Sequence, residues 1–368
     1  MTVRASILIC GKIRSREVFR KDMETYRIWK ASGQIDRIVY SGWTSDLGVN
    51  DDIFSDLREM GVEIVLTPEP NFIVHGYIYH QMKTLHFGLA MFGDDEIVIK
   101  SRTDNAWLNF DPITVTQYVA EAEPVGPRSP FAARVSILCG LAFQPYFFND
   151  MMYAGRASDL KRMVSFDLWY DAESALVNAE QALHTAPVIG QRPFLRDYLM
   201  VNPGLLHGES PLAGRLQRVL LTDPFYLRCV WDSLTTLRDG YRIGFHPRDP
   251  WTPPEGQVTL EDLADGAAGD PVKDLRFLAA ANTLEFYSNA AVDFLLTTPI
   301  SAAEPRSLSA LFDSQPQSPP RQEPLFSGPA ATLAKTLADA FTELGLLQPP
   351  AQNGFVIHQP RMPYVRVL

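Results

Sequence analysis

The sequence predicts an α/β protein with a mostly parallel sheet flanked by helices and a mainly helical C-terminal extension. Over the first 105 residues, short apolar runs alternate with amphipathic segments, which is the pattern of β-α-β units and of parallel sheets. Polar residues collect directly after several of the apolar runs, where open parallel sheets present their strand ends to ligands. Later apolar residues recur at helical spacing, as between Asp274 and Phe294.

The first 105 residues contain four predicted strands and three predicted helices. Apolar residues in the helical segments recur every three or four positions, and Gly33 and Gly61 are well placed to end two of them. Neither a Gly-x-Gly-x-x-Gly fingerprint nor a Walker phosphate loop is present, so a nucleotide would have to be held in another way. The strands are expected at Ser6–Cys10, Ile35–Tyr40, Val62–Leu66 and Ile97–Ile99, and the helices at Arg16–Ala31, Asp52–Met60 and Gly76–Phe92.

Beyond Asn105 the pattern is more mixed. Asp111-Pro112 is expected to start a helix, prolines 124 to 130 mark a loop, and an aromatic run leads to Asp150 and a glycine turn at Gly155. The further predicted elements are an apolar strand at Ser136–Phe143, helices at Ala157–Trp169, Glu173–His184 and Asp274–Phe294, a candidate strand at Leu216–Leu221 and a loop at Arg242–Thr252.

These segments predict one large domain with appendages, at 1–260, 261–298, 299–328 and 329–368. The first is the α/β domain and the second a helical extension. Residues 299–328 are dense in Pro, Ser, Gln and Glu, and we expect an exposed linker there because few apolar groups offset the entropy of ordering. The last range holds a C-terminal helix and tail.

Composition restricts the class of protein. Hydrophobic content of 46% is that of a globular chain, and a formal net charge of -10 argues against a broad basic face for nucleic acid. The three cysteines are widely spread, so a disulfide framework is not expected and a reducing cytosol fits best. No stretch has the length of a membrane span or the pattern of a signal peptide. We expect a cytoplasmic protein, and peripheral contact with the inner face of a membrane stays open.

The polar cluster after Ile97–Ile99 contains two cations, two hydroxyls and a carboxylate. Asp104 is a candidate ligand for magnesium or manganese, because hard cations prefer oxygen donors and keep water and substrate phosphate in their other positions. Lys100 and Arg102 would neutralise a diphosphate, as a point charge and as a bidentate fork respectively. The alternative is an Arg-Asp pair in a solvated loop.

A second basic cluster follows the first predicted strand at Lys12, Arg14 and Arg16. These cations would reach a phosphate or a uracil-type base at the same sheet edge, or they form a solvated helix entry. Asp150 lies between an aromatic run and two methionines, so we expect a semi-buried carboxylate that is either paired or functional.

Other catalytic patterns find little support. No two histidines have the i, i+4 spacing of a metal motif, and there is no Gly-x-Ser-x-Gly elbow. Glu180, Asp197 and Glu209 are only loose carboxylate candidates.

Five segments of the chain resemble one known family. They are Ser6–Ile13, Tyr40–Trp43, His80–Thr84, Lys100–Asp104 and Asn149–Gly155 followed by Asp159-Leu160. In order and spacing they resemble the WavE-type lipopolysaccharide-biosynthesis proteins, a family of glycosyltransferases with a GT-A-like fold. The resemblance covers about the first 170 residues.

The resemblance implies roles for particular residues. Asp104 would anchor a divalent cation (Mn or Mg) and the diphosphate. For the same reaction we nominate Asp150 as the catalytic base or as the residue that orients the sugar. The resemblance makes Lys100 and Arg102 sugar or phosphate contacts. With the basic cluster and the resembling segments included, the expected donor and phosphate contacts are Lys12, Arg14, Ser41, Gln81, Lys100 and Arg102.

The expected function is therefore metal-assisted transfer of a sugar from a nucleotide-sugar donor to a glycan acceptor of a bacterial surface polysaccharide or lipopolysaccharide. A non-catalytic nucleotide-sugar or glycan binding module in an assembly complex is the alternative from another class, and a nucleotide hydrolase is a weaker third. Neither the sugar nor the oligomeric state follows from the sequence.

Overall fold

The computed structural model describes residues 4–70, 78–104, 111–121, 124–165, 179–201, 221–244, 285–286, 288–299 and 306–313. These residues form an α/β fold whose main sheet has seven strands. The strands of the main sheet are β1 (Ala5–Cys10), β2 (Ile35–Trp43), β3 (Glu63–Thr67), β4 (Ile97–Arg102), β5 (Val135–Ile137), β7 (Tyr153–Arg156) and β8 (Tyr241–Ile243). A second sheet pairs β6 (Gly140–Leu141) with β9 (Glu285–Phe286).

Helices lie on both faces of the sheet. In chain order they are α1 (Arg16–Ala31), α2 (Asp51–Glu59), α3 (Ile78–Leu89), α4 (Pro112–Ala120), α5 (Ala157–Arg162), α6 (Ala179–Thr185), α7 (Phe194–Val201), α8 (Pro224–Gly240), α9 (Asn289–Thr297) and α10 (Leu308–Phe312). No helix in the described ranges is long and apolar enough to cross a membrane.

The sheet order is β3-β2-β1-β4-β7-β5-β8. Strands β1 to β4 pair in parallel, β7 pairs antiparallel with both β4 and β5, and β8 is parallel to β5. The mostly parallel α/β sheet predicted from the sequence is therefore confirmed. The chain adds β2 and β3 on one side of β1 and then, through α3, places β4 on the other side. This reversal between β1 and β4 is the point at which open sheets form a ligand crevice.

The central strands bury apolar side chains on both faces of the sheet. Leu8 and Val98 pack on one face of the sheet, whereas Ile7, Ile9 and Ile99 pack on the other. All six residues of β1 are buried, as expected of a strand with helices on both sides. On α3, a Cβ at Gly88 would lie 2.5 Å from Leu8 Cδ1, so glycine allows this helix to approach the sheet closely.

The predicted first helix has the predicted bounds. Ser15 caps α1, its hydroxyl accepting from the Val18 amide, and Gly33 follows the helix with a φ of +70°. Gly61 has a φ of +66° just after α2. Both glycines are therefore used for the left-handed conformation that ends a helix.

Several sequence predictions need correction. Strand β4 continues through Arg102, so Lys100 and Ser101 belong to the strand and not to its exit. Gly155 lies inside β7 and not in a turn, and Arg242 lies in β8 and not in a loop. Tertiary pairing extends these strands across residues whose side chains are polar or absent.

The C-terminal predictions are only partly correct. The expected helix Asp274–Phe294 contains β9, which pairs antiparallel with β6, and Ser288 begins α9 by capping it. The long helix α8 was missed, although Asp223 followed by Pro224 is a start signal for a helix. Residues 216–220, most of 261–298 and all of 329–368 lie outside the described residues.

The predicted exposed linker is wrong for residues 306–313. Helix α10 packs on α8 and α9, with Leu308 fully buried and Phe312 8% exposed. The Trp231 indole donates to Asp313 Oδ1 at 2.9 Å. Two apolar side chains and one hydrogen bond therefore dock this part of a segment whose average composition is polar. The rest of 300–328 lies outside the described residues.

The three cysteines are buried, and none of them is in a disulfide. Cys10, Cys139 and Cys229 therefore pack as small apolar side chains.

Candidate functional site

A cavity of about 600 Å³ opens at the carboxyl ends of β1 to β4. Residues that line it come from the end of each of these strands and from α3. It therefore occupies the crevice between β1 and β4 at which the strand order reverses. Four cationic side chains line this cavity, namely Lys12, Arg14, Lys100 and Arg102.

Backbone contacts join the ends of β1 and β4. The Thr103 amide donates to the Cys10 carbonyl at 3.2 Å, and the Thr103 hydroxyl donates to the Lys12 carbonyl at 2.6 Å. Between them, Gly11 has a φ of +112°, and a Cβ there would meet Thr103 Oγ1 at 3.4 Å. The sharp turn that brings Lys12 to the cavity therefore favours glycine.

Arg102 and Asp104 form a bidentate ion pair in the cavity wall. Arg102 Nε lies 2.9 Å from Asp104 Oδ1, and Nη2 lies 3.0 Å from Oδ2. Burial acts to raise the pKa of Asp104, but the hydrogen bonds and charge of Arg102 outweigh it and hold that pKa below its usual range. Arg14 Nη1 is a more distant partner, 3.8 Å from Asp104 Oδ2.

Lys100 is a buried cation. Its Nζ donates to the backbone carbonyl of Asp150 and lies 4.7 Å from the centroid of the Tyr153 ring. Burial lowers the pKa of Lys100, and the charge of Asp150 opposes that shift. Burial therefore makes the charge of Lys100 costly, whereas the guanidinium of Arg102 stays charged beside its two carboxylates.

Another part of the cavity lining combines an ion pair with aromatic rings. Lys12 Nζ lies 3.0 Å from Glu69 Oε2, and the Trp43 and His80 rings meet edge to face at 5.4 Å. Burial is the main cause that lowers the pKa of His80. Gln81, on the same turn of α3 as His80, also lines the cavity.

Two predicted site residues lie behind the cavity wall. Ser41 is fully buried, and its hydroxyl donates to the Thr84 carbonyl at 2.6 Å, so we correct its expected position in the cleft. The Asp150 carboxylate is only 3% exposed, and its Oδ2 lies 3.4 Å from Arg102 Nη1. Asp104 and Asp150 thus contact the same guanidinium, as expected of residues at one site, but Asp150 meets the cavity through Arg102.

The structure adds Glu180 to this group. Burial, and then the charge of Asp150, raises the pKa of Glu180 well above its usual range, and Arg102 and Lys100 act in the opposite direction. The sequence predicted that Glu180 lies in a helix, at Glu173–His184. No local pattern predicts that Glu180 comes near Asp150, which is thirty positions away in the chain.

The site offers limited means of holding a metal. No three His, Cys, Asp or Glu side chains come together in a metal-binding group within the described part of the chain. Asp104 has the right donor chemistry for magnesium or manganese, but both its oxygens accept from Arg102. A cation at Asp104 would therefore compete with the guanidinium.

The cations and aromatic rings of this cavity suit an anionic ligand with a planar group. No protein-family model matches this chain, and no curated protein matches it.

Proposed function

We propose that this protein is a glycosyltransferase that moves a sugar from a nucleotide-sugar donor to a glycan acceptor of a bacterial surface polysaccharide or lipopolysaccharide. The observation that carries the proposal is the position of a four-cation cavity at the switch point between β1 and β4. Such crevices bind nucleotides in open α/β sheets, and Arg and Lys side chains neutralise diphosphates.

The resemblance to the WavE-type proteins supports the same proposal. Each of the five resembling segments contributes at least one residue to the cavity wall, for example Lys12, Trp43, Gln81, Arg102 and Tyr153. Residues as far apart in the chain as Lys12 and Tyr153 thus meet at one site. The cavity volume of about 600 Å³ also lies in the ordinary range for small-molecule sites.

The chemistry requires relief of the charge that develops on the leaving diphosphate. Arg102, Lys12 and Arg14 provide fixed positive charge for this purpose. A magnesium or manganese ion held by Asp104 would supply further electrostatic stabilisation when bound. We also propose a cytoplasmic location, because thiols stay reduced there and the three cysteines form no disulfide.

A donor panel tests the proposal. The protein is incubated with uridine, guanosine and thymidine diphosphate sugars and manganese, and release of nucleoside diphosphate is measured. We expect one donor to be turned over and to raise the melting temperature of the protein, since a ligand that binds only the folded state stabilises it. If no donor binds or reacts, the proposal fails.

A non-catalytic nucleotide-sugar binding module is the second candidate. One observation favours it: Asp150, the expected catalytic base, is buried behind Arg102. Its carboxylate is therefore not part of the cavity wall. Clear binding of a donor without any turnover, in the presence of glycan acceptors, would support this alternative.

A further inference from the structure

One buried tyrosine in the cavity lining differs from the others. Seven tyrosines of the described residues are almost fully buried, and six of them form a hydrogen bond through the phenolic hydroxyl. The seventh is Tyr153, whose hydroxyl has no hydrogen-bond partner among the described residues. Buried tyrosine hydroxyls usually have a partner, so this hydroxyl is available to donate to a ligand. The six paired tyrosines are Tyr26, Tyr40, Tyr146, Tyr198, Tyr226 and Tyr241.

Tyr153 belongs to the most enclosed part of the cavity lining, where its side chain is 0% exposed. It lies on β7 directly opposite Lys100 of β4, and such opposite residues have their side chains on the same face of the sheet. Lys100 also lines the cavity, and its Nζ lies 4.7 Å from the centroid of the Tyr153 ring. The Tyr153 side chain therefore projects from β7 on the face of the sheet from which Lys100 reaches the cavity.

The surroundings of Tyr153 keep its hydroxyl protonated. Burial raises the pKa of Tyr153 well above its usual range, and the other groups that act on it include Cys10 and Arg102. Both of these residues line the cavity. Because a neutral phenol donates one hydrogen bond, Tyr153 offers a neutral donor to an oxygen of the ligand and not an ion pair.

The strand order places Tyr153 beside the cations. Strand β4 lies between β1 and β7, and Lys12 and Arg102 come from the ends of β1 and β4. Tyr153 begins the next strand, and neighbouring strands are about 4.8 Å apart. In a nucleotide sugar, the diphosphate separates the nucleoside from the sugar. With the diphosphate on these cations and the nucleoside beside the Trp43 and His80 rings, the group that reaches Tyr153 is the sugar.

We propose that Tyr153 is a specificity-determining residue whose hydroxyl donates a hydrogen bond to an oxygen of the donor sugar. This inference rests on the proposed glycosyltransferase function. The phenol would select sugars that carry an oxygen at one position, because a sugar without that oxygen leaves the buried hydroxyl unpaired in the complex.

Thermal unfolding without any ligand tests whether the hydroxyl has a partner inside the protein. Tyr153→Phe keeps the ring and removes only the oxygen. We expect its melting temperature to equal or exceed that of the wild type, since no internal hydrogen bond is lost. Tyr226→Phe is the matched control, because the buried Tyr226 hydroxyl donates to the Phe143 carbonyl at 2.8 Å, and its melting temperature should fall. If both variants are destabilised equally, the inference is overturned.

Calorimetric titrations with the donor found in the panel, and with its nucleoside diphosphate, locate the contact. We expect Tyr153→Phe to bind the nucleotide sugar about tenfold more weakly, the effect of one lost hydrogen bond, and to bind the nucleoside diphosphate as the wild type does. Tyr226→Phe should bind both ligands as the wild type does. If Tyr153→Phe weakens both ligands by the same factor, the hydroxyl contacts the diphosphate and the inference is overturned.

Deoxy analogues of the donor sugar identify the oxygen. One analogue should bind the wild type about tenfold more weakly than the full donor and lose no further affinity in Tyr153→Phe, because the two oxygens form one interaction. Additive losses for every analogue would overturn the inference. If Tyr153→Phe binds the donor as tightly as the wild type, the inference alone fails. If the wild type binds no nucleotide sugar, the proposed function fails with it.

Discussion

Arg102 binds Asp104 through two parallel hydrogen bonds, 2.9 Å from Nε to Oδ1 and 3.0 Å from Nη2 to Oδ2. Its remaining nitrogen, Nη1, lies 3.4 Å from Oδ2 of Asp150. One guanidinium therefore links a carboxylate in the cavity wall to a buried one behind it. A phosphate or metal ion that enters the cavity must compete with these contacts or exchange with them.

Asp104→Asn tests the proposed metal ligand. We expect loss of the manganese-stimulated part of sugar transfer, because the amide keeps the shape of the side chain but loses the charge that holds a hard cation. The melting temperature should change little, since Asp104 lies at the cavity and not in the core. Manganese titrations of donor turnover measure the effect, with the exposed Asp95→Asn as control. Wild-type manganese stimulation in Asp104→Asn would contradict a metal role.

Arg102→Lys keeps a positive charge but removes the bidentate fork. We expect nucleoside diphosphate binding to weaken about tenfold or more, because lysine presents a point charge where arginine matches two oxygens at once. Calorimetric titration with uridine, guanosine and thymidine diphosphates measures this change. Arg27→Lys, on the exposed face of α1 and paired with Glu24, is the matched control. Equal affinity of Arg102→Lys and wild type would remove Arg102 from the diphosphate site.

Glu180→Gln should stabilise the fold at high pH. The folded-state pKa of Glu180 is raised by burial and then by Asp150, so its ionisation costs stability as pH rises from the unfolded pKa through the folded one. Glutamine avoids that cost. We expect the melting temperature of Glu180→Gln to exceed that of wild type by about 2 °C or more at pH 8, and the gain to vanish near pH 4. A gain that is the same at both pH values would show that ionisation is not its cause.

Asp22, on the other side of the sheet, is a second buried carboxyl group whose ionisation should lower stability at high pH. This residue of α1 is 4% exposed, and its Oδ2 has no hydrogen-bond partner among the described residues. Burial raises the pKa of Asp22 to about 6. Asp22→Asn should therefore raise the free energy of unfolding at pH 8, and the gain should shrink as the pH falls through 6 towards 4. Urea unfolding at these pH values measures it, and the exposed Asp36→Asn should show no such trend.

Phe312→Ala tests the docking of α10. The Phe312 ring is 8% exposed and its centroid lies 5.7 Å from that of Trp231. Truncation should cost about 3 kcal/mol in the free energy of unfolding, a usual value for a buried phenylalanine, and should speed proteolysis within residues 306–313. Phe87→Ala, where the ring is 40% exposed, is the matched control and should cost much less. Equal costs would mean that α10 is not firmly packed in solution.

Much of the first half of the fold was predictable because its signals are local. The apolar runs of β1 to β4 and the glycines at 33 and 61 report the conformation of their own neighbourhood. The predicted end of β4 was wrong at Lys100 and Ser101, because polar side chains after an apolar run usually mark the end of a strand. Here both are buried in β4, where pairing with β1 and β7 satisfies the backbone.

The sequence by itself determined the α/β class and the positions along the chain of the segments that form the parallel strands. It also determined which cations and which carboxylate follow those segments. Each of these features is set by residues that are close together in the chain. Only the tertiary structure decided which charges meet. Arg102 forms ion pairs with both Asp104 and Asp150. The Ser41 hydroxyl donates to the Thr84 carbonyl, and the charge of Asp150 acts on Glu180. The periodicity of the sequence specifies on which face of a helix or strand a side chain lies. The residue that this side chain contacts depends on how elements distant in the chain pack together. The packing therefore decides which charged side chains meet in the site.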